Sequence, residues 1–223
     1  EGFYIDKFLG MGHRRLSIID LSPAGHQPMI SQDQQIVLSF NGEIYNFQEI
    51  KAQLVSLGYK FHSKTDSEVI LNSWAEWGTD CVIRFNGMFA FAIWDKREQS
   101  LYLVRDRYGI KPLYYGCWDN TFLFGSEQKA ILAHPTSKRE LDKKALLEYF
   151  TFQNIFTDRT LLKNIKILPQ ASIAKIALGS SGIPEISHYW DFRFREPEQP
   201  VARKEYAEEL DHLLRQAEIG RAH

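Results

Sequence analysis

Short apolar runs separated by turn residues set the rhythm of this chain. Residues 35–40, 42–47, 87–94, 100–104, 112–115 and 121–124 are each rich in aromatic or β-branched side chains and bounded by Gly, Pro, Asn or Asp, which predicts strands. Residues 88–94 do not alternate; both faces are apolar, as expected of a strand covered on two sides. Helical spacing replaces the strand period at 47–57, where Ile50, Leu54 and Leu57 share a face and Gly58 marks the stop. It returns at 66–77, with Val69, Ile70, Ser73, Trp74 and Trp77 in register before Gly78. A third helix is predicted from a Ser126 N-cap with Ala130 and Ile131 inward, and a fourth over 143–150. Strands at 172–177 and 186–190 form a late hairpin around Gly179–Gly182, and an amphipathic helix over 203–217 aligns Leu210, Leu213 and Leu214. A hairpin, two helices, a strand meander, further helices and a hairpin make an α+β arrangement of antiparallel sheets, not a doubly wound one.

Composition narrows the field. A length of 223 residues suits one domain with an appendage or two small domains, and a chain of this size buries enough surface to fold without staples. The balance of 27 basic against 28 acidic residues excludes a nucleic-acid binder that works through a basic footprint. The two cysteines, Cys81 and Cys117, form no CxxC, so a secreted disulfide scaffold is excluded. The longest apolar run, 88–94, is far below the ~20 residues of a membrane span. No basic stretch followed by an apolar one opens the chain, so no signal peptide is expected.

The candidate chemistry is scattered, and each piece has an ordinary reading. Asn41-Gly42 between apolar runs predicts a hairpin turn, because both residues tolerate φ > 0. Such a turn also aims a backbone N–H and a carboxamide NH₂ in one direction, the pair an oxyanion hole needs. In Gly12-His13-Arg14-Arg15-Leu16-Ser17-Ile18-Ile19-Asp20, alternation predicts a strand; an Arg at its head is ordinarily solvated, yet Arg can clamp a carboxylate through two parallel bonds. Asp66 in Thr65-Asp66-Ser67-Glu68 reads as an N-cap or first-turn acid, and an acid there can also hold an ammonium. The histidines lack metal-ligand spacing, so no metal is expected, and both cysteines read as buried packing residues. Gly179-Ser180-Ser181-Gly182 reads as a hairpin turn rather than a phosphate loop. The run 105–111 reads as a tight bend whose charges pair with each other.

Six motifs in sequence carry a resemblance. His13-Arg14-Arg15-Leu16-Ser17-Ile18-Ile19-Asp20, Gly25-His26-Gln27-Pro28, Asn41-Gly42-Glu43-Ile44-Tyr45-Asn46, Thr65-Asp66-Ser67-Glu68, Gly87-Met88-Phe89-Ala90-Phe91-Ala92 and the stretch from Arg105 to Tyr114 resemble the glutaminase domain of glutamine-hydrolysing asparagine synthetases, over about residues 1–190. The first two favour that branch over the glucosamine-phosphate and purine-pathway glutaminases.

The resemblance implies a four-layer αββα sandwich of the N-terminal-nucleophile hydrolase type. It also implies a mature N-terminal Cys that attacks the glutamine amide with its own α-amino group as base. Arg15 would hold the substrate α-carboxylate, and Leu16, Ser17, Ile18 and Ile19 would line the pocket. Asp66, helped by Glu43, would hold the α-ammonium; the Asn41 side chain and Gly42 N–H would form the oxyanion hole. Residues 1–195 would be the glutaminase domain, N-terminally incomplete because the nucleophile with its strand and a helix precede Gly2 in the family, and 196–223 a linker helix toward a synthetase domain. Neither metal nor cofactor is expected in this chain; ATP and Mg²⁺ are expected in the synthetase domain. A cytoplasmic protein follows, inactive as this chain alone, with glutamine as substrate, the synthetase domain as partner, a homodimer as a further association, and neither nucleic acid nor membrane. Two alternatives stay open: an amidotransferase of the same family with another acceptor, and a non-catalytic glutamine-binding domain.

Overall fold

The computed structural model describes residues 1–14, 25–180, 182–194 and 202–219. Among these, the strands form a six-stranded antiparallel sheet, a three-stranded one and a two-stranded pair. The large sheet runs β11 (Glu185–His188), β10 (Ser172–Ala177), β6 (Ser100–Arg105), β5 (Gly87–Asp95), β4 (Ile36–Ile44), β3 (Met29–Ile30). The second layer holds β8 (Thr121–Gly125), β7 (Tyr114–Trp118) and β9 (Lys166–Ile167), with β1 (Gly2–Ile5) and β2 (Gly10–His13) beside it.

Three apolar cores stack these elements into layers. On one face of the large sheet, Ile36, Leu38, Phe40, Phe89, Phe91 and Ile93 meet Ile50 and Leu54 of α1 (Phe47–Ser56) and Val69, Ile70 and Trp74 of α2 (Asp66–Trp77). Each of these large side chains contributes roughly 1.5–3 kcal/mol on burial. On the other face Val37, Ala90, Ala92, Trp94, Leu101 and Leu103 meet Leu113, Tyr115 and Met11 of the second layer. A third core of Trp118, Ile131 and Ile165 seats α3 (Gln128–Leu132) on the outside. The order is helices, sheet, sheet, helix, which is the four-layer αββα sandwich. The non-alternating β5 is a central strand: Phe89, Phe91 and Ile93 face the helices, and two of its three second-core residues, Ala90 and Ala92, are small and let the sheets close up.

Several expectations are corrected. Asn41-Gly42 is no turn: β4 runs unbroken through both, paired with β5 from Ile36↔Asp95 to Ile44↔Gly87. Two nine-residue partners in full register outweigh the local turn preference of Asn-Gly. Ser126 is no N-cap; α3 starts from Glu127, whose side chain makes no cap bond. The charges of 105–111 do not pair with one another. Arg105 donates to the carbonyls of Gly109, Lys111 and Leu168 at 2.6–2.8 Å, and buried Asp106 accepts N–H bonds from Phe89, Tyr108, Ile110 and Lys111 at 3.0–3.1 Å. That bend delays the strand expected at 112–115, which runs as Tyr114–Trp118 instead. Cys117 is half-buried, whereas Cys81, in a 3-10 helix over Gly78–Arg84, is fully buried. α2, α4 (Lys143–Phe152), the β10–β11 hairpin and α5 (Arg203–Ile219) lie where the periodicity puts them. No described helix is long and apolar enough to cross a membrane.

Candidate functional site

The second half of β4 has a neighbour on one side only. β3 pairs with Val37 and Leu38 and stops, so the edge beyond carries outward backbone groups with no described strand beside them. Which residues point outward follows from β5. Both backbone groups of Phe89 face the β6 side: its carbonyl accepts from Asp106 N at 2.8 Å, and its N–H donates to the Asp106 carboxylate at 3.1 Å. Gly42 pairs with Phe89, so its own N–H points away from β5, as do those of Phe40 and Ile44. Two of these three donors have side-chain acceptors. Phe40 N–H donates to Gln27 Oε1 at 2.6 Å, and Ile44 N–H donates to Asp66 Oδ2 at 3.2 Å. Gly42 N–H lies between them, with no side-chain acceptor among the described residues.

Only glycine fits at position 42. Its φ is +152°, and a Cβ there would sit 2.2 Å from Met88 O and 2.6 Å from Phe89 Cα. Gly87, opposite Ile44, is needed for the same close approach: a Cβ would meet Glu43 O at 2.2 Å.

Asn41 and Glu43 share the sheet-to-sheet face of β4 with Val37 and Ser39. The Asn41 carboxamide donates from Nδ2 to Ser126 Oγ at 3.5 Å. Two residues back, Ser39 Oγ lies 3.1 Å from His13 Nδ1 at the end of β2. Both side chains are therefore tied to the second layer.

Asp66 opens α2, where Thr65 is the N-cap, its hydroxyl accepting from Glu68 N. The Glu68 carboxylate in turn accepts from the N–H groups of His62 and Ser63 and from the Ser63 hydroxyl. The far end of α2 is pinned by Trp74 Nε1, which donates to Asp95, itself held by Arg97. Asp66 is thus a buried carboxylate on a helix fixed at both ends. Burial pushes its pKa up to about 6, and the negative charge of Glu43 adds to the rise; N–H bonds from Ile44 and Ser67 oppose it. A carboxylate that is costly to ionise and has no cation paired with it among the described residues is suited to meeting one from a ligand.

The structure gathers Asn41, Gly42, Glu43 and Asp66 at one end of β4, across 25 residues of sequence. Arg15, Leu16, Ser17, Ile18 and Ile19 lie outside the described residues. Gln27, Ser126 and Asp106 also shape the site and had no assigned part in it. A signal for Asp106 was available, since an acid flanked by Arg and followed by Gly and Pro marks a bend that needs a backbone acceptor.

The fold is shared with solved amidotransferases. Glutamine phosphoribosylpyrophosphate amidotransferase from Bacillus subtilis superposes over 80% of this chain and 34% of its own, with a TM-score of 0.56 at 18% identity. That likeness shows a shared layered fold. A family model described as the glutamine amidotransferase domain matches residues 1–190, and the chain belongs to that family. Among curated relatives, asparagine synthetase [glutamine-hydrolyzing] 3 of Bacillus subtilis is 39% identical over 81% of this chain and 29% of its own length. Asparagine synthetase [glutamine-hydrolyzing] 2 of the same organism is 43% identical over 66% of this chain and 19% of its own. The chain thus spans under a third of the length of these two relatives.

Proposed function

We propose that the chain is the glutaminase domain of an ATP-dependent asparagine synthetase. Glutamine is hydrolysed here to glutamate and ammonia, and the ammonia amidates aspartate in a second domain, where ATP and Mg²⁺ act. The observation that carries this reading is the outward Gly42 N–H, set between two occupied edge donors and next to the Asn41 carboxamide. Asn41 Nδ2 and Gly42 N–H receive the oxygen of the glutamine side-chain amide and stabilise it as negative charge develops. Asp66, with Glu43 beside it, meets the α-ammonium, and Arg15 clamps the α-carboxylate above a pocket lined by Leu16 to Ile19.

The nucleophile in this reading is an N-terminal cysteine, as the family resemblance implies. Its thiolate attacks the amide carbon, ammonia leaves, and water hydrolyses the thioester, regenerating the thiol and releasing glutamate. Neither cysteine present fits that part: burial pushes the Cys81 thiol well above its usual range, and Cys117 lies on β7. The chain alone therefore releases no ammonia from glutamine. The test compares the 223 residues with a protein extended upstream by its encoded segment. Turnover is expected only in the extended form, and only while its N-terminal Cys is intact. Turnover by the 223 residues that Cys81→Ala or Cys117→Ala abolishes would contradict the reading.

A further inference from the structure

Gln27 lies in the Gly25-His26-Gln27-Pro28 motif, is 6% exposed, and makes two bonds that join the two elements carrying the site. Its Oε1 accepts from Phe40 N on the free edge of β4 at 2.6 Å. Its Nε2 donates to Ser67 Oγ, in the first turn of α2, at 3.2 Å. Ser67 is itself buried and follows Asp66 directly. A second link runs from Ile44 N–H to Asp66, four residues further along the same edge. Gly42 N–H sits midway between the two links. A primary amide suits this place, since one group must accept from a backbone N–H and donate to a hydroxyl, and neither a carboxylate nor an ammonium does both.

We propose that Gln27 and Ser67 form a latch that positions Asp66 relative to Gly42, and so sets how strongly the site prefers a ligand with an α-ammonium. The inference rests on the reading of Asp66 as the ammonium partner. Neither latch residue touches the ligand; both act through Asp66. Removing Ser67 Oγ leaves Phe40 N–H satisfied and the Ile44–Asp66 bond in place, but breaks the link from Gln27 to the first turn of α2.

The test measures binding of two probes to the 223-residue chain by calorimetry: L-glutamine, and glutaramate, which is glutamine without its α-amino group. The intact chain should prefer glutamine. Ser67→Ala should cut that preference roughly 3- to 10-fold, the range of one ordinary hydrogen bond, while glutaramate affinity and melting temperature hold. Gln27→Met, which also strands Phe40 N–H, should cut the preference at least as far and lower the melting temperature. A parallel loss of both probes in Ser67→Ala would assign these residues to the fold alone and overturn the latch, as would an unchanged preference. Equal affinity of the intact chain for both probes would instead refute the Asp66 reading beneath it.

Discussion

β4 and β5 are partners of equal length, paired residue for residue, yet they do opposite things. β5 has a neighbour on each side, and where β6 stops opposing it, at Phe89, Asp106 takes over both backbone groups. Its side chains from Phe89 to Trp94 are buried on both faces. β4 begins the same way, with Ile36, Val37 and Leu38 fully buried. Past Leu38 its second neighbour ends, and the sequence changes to Asn41-Gly42-Glu43, all half-buried. Among the described residues β4 runs on beyond its second partner: β5 supplies rigidity, and the edge with no described strand beside it carries outward N–H donors. The donors are preorganised because the strand cannot move without disturbing the core.

The comparison is broken most severely at Gly42. Gly42→Ala forces a Cβ against Met88 O and Phe89 Cα, so the two strands must part; a loss on the order of 3 kcal/mol or more is expected, read from the denaturant midpoint. Asp106→Ala attacks β5 from its other side. It strands N–H groups of Phe89, Tyr108, Ile110 and Lys111, and destabilisation on the order of 3 kcal/mol should appear in the same assay.

Asp66→Asn should act in the other direction on stability. The folded-state pKa of Asp66 is about 6 against 3.8, so ionisation in the fold costs stability. The benefit of the neutral form is full below about pH 4 and lost as pH rises through about 6. At pH 8 the Asn variant, which keeps an acceptor for Ile44 N–H, should be more stable than the parent by roughly 2 kcal/mol, with the gap closing at pH 4. Its glutamine affinity should be lost throughout. Equal stability at both pH values would remove the functional cost assigned to this carboxylate. The smallest effect is expected at Ser126→Ala, which frees the Asn41 carboxamide from a 3.5 Å contact; stability should change by under about 1 kcal/mol. In the upstream-extended enzyme its kcat should fall a few-fold with the KM for glutamine unchanged.

Much of this fold was legible from periodicity, because α2 and β5 are strongly patterned and sit in the core. The unbroken run of β4 was not. Asn-Gly is a strong local turn signal, and only pairing with a distant strand overrides it, which no short window can reveal. The same limit explains Ser126 and Gln27: their partners Asn41 and Phe40 are distant in sequence, and a lone Ser or Gln carries no periodic mark. Asp66 was recognisable as a helix-start acid, but its raised pKa depends on burial and on Glu43, which only the folded chain brings near.

In the proposed reading the outer edge of β4 receives glutamine, with Gly42 N–H as donor and Asp66 as counter-charge. Backbone amide NMR of the 223-residue chain, titrated with L-glutamine at pH 7.5 and again at pH 5, tests it most directly. Saturable shifts of the Gly42 and Ile44 amides are expected at pH 7.5, weakening markedly at pH 5 as Asp66 becomes protonated, while the amides of Phe91 and Ile93 stay in place. Saturable binding that moves other amides and leaves Gly42 unmoved would contradict it.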